Sequence, residues 1–284
     1  MSRNLALRIL VAALFIPAIL WIGYAGGWWL YAMLLVFLTV GLGEYLIREG
    51  YRLDRPVFWL TEATAVAVYS VVALPRLGVE GLGEFVIYRW HVAAAGLLAA
   101  FFLVSGMLFT LGKRPPAELF TRHCRLCWGL AYLSITWPIV FLVGSGVAGQ
   151  HGGDSLLFLF GLLWVGDTAA MAVGKGLGRH KLSPAVSPNK TVEGFIGGIA
   201  GAAAIGVVMY FWKFEGLGLG HALAAAVGAS VCGQLGDLVE SMWKRSVGVK
   251  DSSAIIPGHG GVLDRFDSLL FAAPFLLLYF TLIR

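Results

Sequence analysis

Nine long apolar runs, interrupted only by short clusters of charged, glycine and proline residues, decide what this chain can become. The breaks define candidate spans at 5–25, 28–47, 57–74, 92–112, 126–147, 155–174, 195–212, 219–240 and 267–283. Each is close to the roughly 17–25 residues an α-helix needs to cross the hydrocarbon of a bilayer. Backbone in lipid must satisfy its own hydrogen bonds, and runs of this length do so as helices. Of the 284 residues 58% are hydrophobic and only 13% charged, against about 25% charged in soluble domains. The expected fold is therefore all-α, a polytopic integral membrane protein with about nine transmembrane helices.

Charge sets the expected orientation. With the N-terminus in the cytoplasm, seventeen of the 21 basic residues fall on inner segments, and only Arg76, Arg89, Lys213 and Arg284 on outer ones. That is the positive-inside bias. The net charge of +5 then reflects topology and a phosphate site, and gives no reason to expect a nucleic-acid partner. Arg3 and Arg8 precede the first apolar run as in a secretory signal. The run leads into further spans without a clear small-residue cleavage site, so it reads as a retained first helix.

No internal repeat is visible, which disfavours inverted-repeat transporter folds. Three cysteines cannot make a disulfide framework. Cys124 and Cys127 form one C-x-x-C beside His123, expected on the inner loop at a helix end. With no second pair it is not a four-ligand zinc site. The chain divides by chemistry into residues 1–150, N-terminal helices acting as scaffold with lipid access or dimer contacts, and 151–284, a catalytic region facing the cytoplasm. In the first region Glu44 and Glu62 fall within spans. Interfacial pairing with Arg48 or Arg52 is the favoured account of both.

The polar residues that need explaining lie in the second region. Asp167 sits mid-span, where a carboxylate costs at least ~2.5 kcal/mol, so a wet cavity, a cation or a lysine should face it. In the following loop Ser187-Pro188 reads as the N-cap and first residue of the seventh helix. Lys190, Thr191 and Glu193 then surround a helix N-terminus, a ready anion site. Gly174, Gly176 and Gly178 would let backbone approach a phosphate. Ser230, Gln234, Asp237, Ser241 and Lys244 recur every three or four residues, with Glu240 adjoining, so one stripe of the eighth helix is polar. Its rival explanation is a hydrogen-bonded seam between helices.

Beyond that helix come Arg245, Lys250, Asp251, the turn Pro257-Gly258-His259-Gly260-Gly261, then Asp264, Arg265 and Asp267. The glycines imply a tight turn whose amides form an anion nest. Asp264 and Asp267, three apart, can point one way. Helix capping and dipole matching would need only one of them, so two, beside Asp237 and Glu240 on the neighbouring helix, are expected as hard-cation ligands. Carboxylates for Mg²⁺, cations for phosphate oxygens and a glycine nest together make a kit for phosphoryl or nucleotidyl transfer.

From Ser241 to Asp267 the chain resembles the signature of phosphatidate cytidylyltransferases (CDP-diacylglycerol synthases), S-x-x-K-R, four residues, K-D, then P-x-H-G-G-x-x-D-R-x-D. The matching residues are Ser241, Lys244, Arg245, Lys250, Asp251, Pro257, His259, Gly260, Gly261, Asp264, Arg265 and Asp267. The likeness extends to Asp167, the Ser187–Gly194 block and Gly236-Asp237 with Glu240. Asn189 stands where many relatives carry a basic or small residue.

The resemblance implies that CTP and phosphatidic acid are converted to CDP-diacylglycerol and pyrophosphate with Mg²⁺, and a second cation is compatible with the number of carboxylates. It also implies a homodimer in the cytoplasmic (inner) membrane. On that reading Asp237 and Asp264 lead as metal ligands, supported by Glu240 and Asp267. Lys244, Arg245, Lys250 and Arg265 hold the phosphates. Ser187, Lys190, Thr191, Glu193, Asp167, Ser241, Asp251, His259, Gly260 and Gly261 make the substrate site, with His259 fixing its turn rather than acting as a base. The alternatives are a CTP-dependent polyprenol or lipid kinase and, from another class, a cation-coupled transporter using Asp167, Asp237 and Glu240. The D-G-x-x-A-R pattern of CDP-alcohol phosphotransferases is absent.

Overall fold

The computed structural model describes residues 3–79, 84–146, 151–214 and 217–283. Arg284, expected on the outer side, lies outside them. Among the described residues there are nine α-helices: α1 (Arg3–Ala25), α2 (Gly27–Arg48), α3 (Pro56–Ala73), α4 (Glu84–Thr110), α5 (Pro116–Gly144), α6 (Gly152–Leu177), α7 (Val192–Trp212), α8 (Leu219–Ser246) and α9 (Leu263–Leu282). A two-stranded antiparallel sheet, β1 (Lys181–Ser183) and β2 (Ser187–Thr191), joins α6 to α7. The eight helices α2 to α9 are long and apolar enough to cross a membrane, and the described apolar stretch of α1 is Ala13–Ala25. The break between α1 and α2 is made by Gly26 and Gly27, at φ 64° and 53°, a left-handed conformation that costs glycine nothing.

The chain forms two compact units, residues 1–30 with 142–284, and residues 31–141. In the second of these, Leu34, Leu38, Leu42 and Leu46 form one buried ridge of α2, the i, i+4 spacing of a helix face. Tyrosine hydroxyls fasten neighbouring segments. Tyr45 donates to Arg125 O at 2.8 Å, Tyr51 to Arg122 O at 3.0 Å and Tyr69 to Tyr31 O at 3.1 Å. The Tyr45 ring seats on Gly129, where a Cβ would stand 2.1 Å from it.

Two sequence expectations are corrected in this unit. His123, Cys124 and Cys127 lie within α5, which starts at Pro116, rather than on a loop. Pro116 is pre-set for a first helical turn, so the helix begins before the apolar run does. His123 is buried, its Nε2 3.0 Å from Ser105 Oγ and 3.3 Å from Cys127 Sγ, while Cys124 is exposed. Nor does Glu62 pair with Arg48 or Arg52: it is buried, its Oε2 accepts no hydrogen bond, and Arg52 pairs with Asp54 at 3.0 Å instead; Glu44 is buried too. Glu62 is six residues into α3, about 9 Å along the axis from its start.

In the other unit α6 packs along α7, α7 along α8 and α8 along α9, with α1 against α6. Glycines make the close approaches. A Cβ at Gly197 would lie 2.7 Å from Val173, at Gly201 2.7 Å from Ala169, at Gly228 2.0 Å from the Phe275 ring and at Gly236 2.6 Å from Phe271. Small residues of this kind let apolar helices associate where lipid offers no hydrophobic drive. The small-residue spacings of α7 are therefore satisfied within the chain.

The start of α7 is also corrected. Ser187 and Pro188 belong to β2, paired with β1 through Ser183↔Ser187 and Lys181↔Thr191. The cap is Thr191, whose Oγ1 accepts from Gly194 N at 3.1 Å. Both residues carry a capping hydroxyl, but Thr191 also packs on Gly174 and Gly178, where a Cβ would come within 3.1 and 2.7 Å of it. Proline is tolerated because a two-stranded ribbon has only edge strands.

Candidate active site

A cavity of about 510 Å³ opens among α6, the β1–β2 hairpin, α7 and α8. Its polar walls are Asp167 and Lys175 of α6, Asn189, Lys190 and Thr191 of β2, and Gln234 and Asp237 of α8. Thus Asp167, in mid-sequence of an apolar helix, does face a cavity and a lysine. Lys190 Nζ lies 2.6 Å from Asp237 Oδ2, and Ser241 Oγ donates to Asp237 Oδ1 at 3.2 Å. Lysine and carboxylate each keep over a quarter of their side-chain surface accessible, so the pair can be opened by a ligand carrying stronger charge.

A second polar cluster occupies the end of α8, the loop beyond it and the start of α9. Lys244 Nζ is 2.7 Å from Asp264 Oδ1 and 3.2 Å from Glu240 Oε1. Glu240 oxygens accept no hydrogen bond, so this ammonium is what balances a carboxylate side chain only 2% exposed. Asp264 Oδ2 accepts from Ser252 N at 2.8 Å, Ser252 Oγ at 2.9 Å and Gly261 N at 2.8 Å. The glycine turn therefore directs an amide at the chain's own carboxylate. Gly260, at φ +85°, is required there, since a Cβ would also lie 2.7 Å from Asp264 Oδ2. His259 Nδ1 donates to Pro257 O at 3.3 Å, inside the same turn.

These placements sort the residues singled out in the sequence. Asp167, Lys190, Thr191 and Asp237 share the cavity. Asp264 is absent from its walls and committed to Lys244, Ser252 and Gly261. Asp267 lies between the clusters, in electrostatic contact with Asp237, Lys244 and Asp167. Among the described residues no three His, Cys, Asp or Glu side chains form a closed metal shell.

Other residues of the motif have fastening contacts. Glu193 accepts from the Arg179 and His180 amides at 3.0 and 3.2 Å and meets His180 Nδ1 at 2.6 Å, holding the end of α6 to the start of α7. Arg245 reaches Val186 O at 3.4 Å and Val249 O at 3.0 Å, tying the hairpin tip to the end of α8. Lys250, Asp251 and Arg265 are exposed. Ser187 sits in β2 away from the cavity lining.

Lys175, Asn189 and Gln234 are the polar wall residues that the sequence did not nominate for the site. Lys175 had a signal, because 167, 170, 171, 174 and 175 trace one face of α6 and all five line the cavity. Gln234 belongs to the polar stripe, but its Nε2 donates to Phe195 O at 3.2 Å and to Ser230 Oγ at 3.3 Å. The stripe thus joins α7 through Gln234, opens on the cavity at Gln234 and Asp237, and ends in the ion cluster of Lys244.

Known proteins share this sequence widely. The model of the cytidylyltransferase family matches residues 6–283. A phosphatidate cytidylyltransferase of Staphylococcus epidermidis is 49% identical over 251 residues, covering 86% of this chain and 93% of that protein. One from Staphylococcus aureus is 48% identical over 251 residues, with the same 86% and 93% coverage. A third, from Staphylococcus haemolyticus, is 50% identical over 147 residues, 52% of this chain and 55% of that relative, so the match spans about half its length. A family match from end to end and near-half identity across most of the sequence give one conclusion: the chain belongs to the cytidylyltransferase family.

Proposed function

We propose that this chain transfers the cytidylyl group of CTP to the phosphate of phosphatidic acid, forming CDP-diacylglycerol and releasing pyrophosphate. The observation that carries the reading is the cavity in which Lys190 and Asp237 face each other, with Lys175, Thr191 and Asp167 on its walls. It offers cations for phosphate oxygens and carboxylates for a hard ion within a bundle of membrane-length helices.

The lipid phosphate is a monoester with a second pKa near ~6, so its attacking oxygen is already deprotonated at neutral pH and needs no general base. That oxygen bonds to the α-phosphorus of CTP. The bond from this phosphorus to the bridging oxygen breaks, and the electron pair leaves with pyrophosphate. The obstacle is the approach of one anion to another. Lys190 and Lys175 lower it by neutralising phosphate oxygens, while the exposed Lys250 and Arg265 collect the soluble polyanion. Arg245 and Glu193 position the hairpin and α7 that carry Lys190 and Thr191.

Mg²⁺ suits this donor set. The ion characteristically takes one or two carboxylates together with substrate phosphates and waters, rather than an all-protein cage. Asp237 would hold it, with Asp167 on the same cavity and Asp267 within their field, and its chemistry would be charge neutralisation of the triphosphate. Asp264 and Glu240 serve instead to fix Lys244. The seventeen inner basic residues support a cytoplasmic N-terminus and a cytoplasmic site in the cell's inner membrane. Family likeness supports a homodimer.

The test is product analysis of the purified protein with phosphatidic acid, Mg²⁺ and CTP labelled at either the α or the γ phosphorus. The α label should reach the lipid and the γ label should appear in pyrophosphate. Transfer of the γ label to lipid would make the chain a kinase and end the proposal.

A further inference from the structure

The unit formed by residues 31–141 holds a second charged cavity, lined by none of the residues of the one above. Its volume is about 580 Å³, and it lies between the α2–α3 loop, the end of α4 and the start of α5. Five cations line it: Arg52, Arg55, Lys113, Arg114 and Arg122. Two are neutralised locally, Arg52 by Asp54 and Arg114 by Glu118. Arg122 stacks over the Tyr51 ring, 5.1 Å from its centroid. Among the described residues Arg55, Lys113 and Arg122 have no carboxylate within salt-bridge distance, and no carboxylate lines the cavity.

Next to it is an apolar cavity of about 590 Å³, walled largely by Phe102, Leu103, Met107 and Phe120. The two share Phe109, Gly112, Arg114 and Leu119. A cationic groove thus runs beside an apolar one, both open at the protein surface, at the ends of helices long enough to span a bilayer. A topology signal explains basic residues beside spans, but it does not need three of them gathered without carboxylate partners in one groove that continues into an apolar one.

We infer that this unit binds an anionic phospholipid, with the headgroup phosphate among Arg55, Lys113 and Arg122 and an acyl chain along Phe109 into the apolar groove. The fit is chemical. Guanidinium groups pair with phosphate oxygens through paired N–H donors, basic pockets between transmembrane helices are sites for anionic headgroups, and free phosphate would leave the apolar groove without a role. Its lining shares no residue with the cytidylyl-transfer cavity, and the inference does not depend on the assignment of that reaction.

The test is native mass spectrometry of the full-length protein released from detergent, with added phosphatidylglycerol, phosphatidylcholine of the same chains, or inorganic phosphate. The unsubstituted protein should retain a phosphatidylglycerol adduct in preference to phosphatidylcholine, and inorganic phosphate should not displace it. Each juxtamembrane cation contributes about fivefold to anionic-lipid binding. Arg55→Ala with Lys113→Ala should therefore weaken the adduct about 25-fold, whereas Arg55→Lys with Lys113→Arg should keep it. Both residues are exposed, and the charge-preserving pair controls for folding. Equal retention of the two lipids, an undiminished adduct in the alanine pair, or displacement by inorganic phosphate would each overturn the inference.

Discussion

Replacing Lys244 with methionine isolates what its ammonium does. In the folded chain it sits 2.7 Å from Asp264 and 3.2 Å from Glu240, the three side chains being 9%, 4% and 2% exposed. At an effective dielectric near 20, each attraction is about 5–6 kcal/mol before desolvation is subtracted. Removing the lysine also removes its own desolvation cost, so the net loss is that of a broken buried pair, about 3–5 kcal/mol. Lys244→Met should lower unfolding free energy in a detergent-micelle SDS titration by that amount. Adding Glu240→Gln should restore at least about 1–2 kcal/mol, because one stranded charge is then gone. A phosphate-holding lysine would behave otherwise. If Lys244→Met unfolds within about 0.5 kcal/mol of the parent while its KM for CTP rises tenfold or more, the lysine serves substrate and the structural account fails.

Three further outcomes follow from named contacts. Asp237→Asn should cut CTP-dependent labelling of lipid by at least about 10²–10³-fold with the detergent-solubilised fold unchanged, and near-parental turnover would remove Asp237 from the chemistry. Gly194→Ala would push a Cβ to 2.8 Å from Ala170 O, costing about 1–3 kcal/mol and lowering turnover by prising α7 from α6 beside the cavity. Gly176→Ala, which meets nothing within 4 Å, is its control, and equal SDS-unfolding midpoints would refute the packing argument. Burial pushes the Tyr51 phenol up from 10.0 to about 12. Stability should therefore hold below about pH 10 and decline towards pH 12 as the unfolded chain ionises first. Tyr51→Phe should remove that part of the decline and cost about 1 kcal/mol at neutral pH for the lost bond to Arg122 O. Unchanged alkaline unfolding in the variant would dismiss this assignment.

Helix positions were legible because a span needs only length and apolarity, and both are local properties of the chain. The polar face of α8 was legible for the same reason, since 3.6-residue periodicity can be counted. Partner choice was not. Asp237 and Asp264 carry the same charge and each has basic residues in its stretch of sequence, yet one faces a cavity and the other a turn. What separates them is Ser252 and Gly261, residues whose amides reach Asp264 only after the loop has folded. Ser187 read as the cap because it precedes a proline; the structure caps with Thr191, which packs on Gly174 and Gly178 at the end of α6. The hairpin escaped notice because β1 has three residues, too few to show an alternating pattern.

That hairpin also fixes a depth. A two-stranded ribbon has outer edges whose amides and carbonyls bond to no strand, and hydrocarbon cannot accept them. Water must therefore reach at least to Lys181–Thr191. Asp167 lies ten residues before the last residue of α6, about 15 Å further in at 1.5 Å per residue. The cavity beside β2 therefore joins a hairpin that needs water to a carboxylate set about two turns or more deeper along α6.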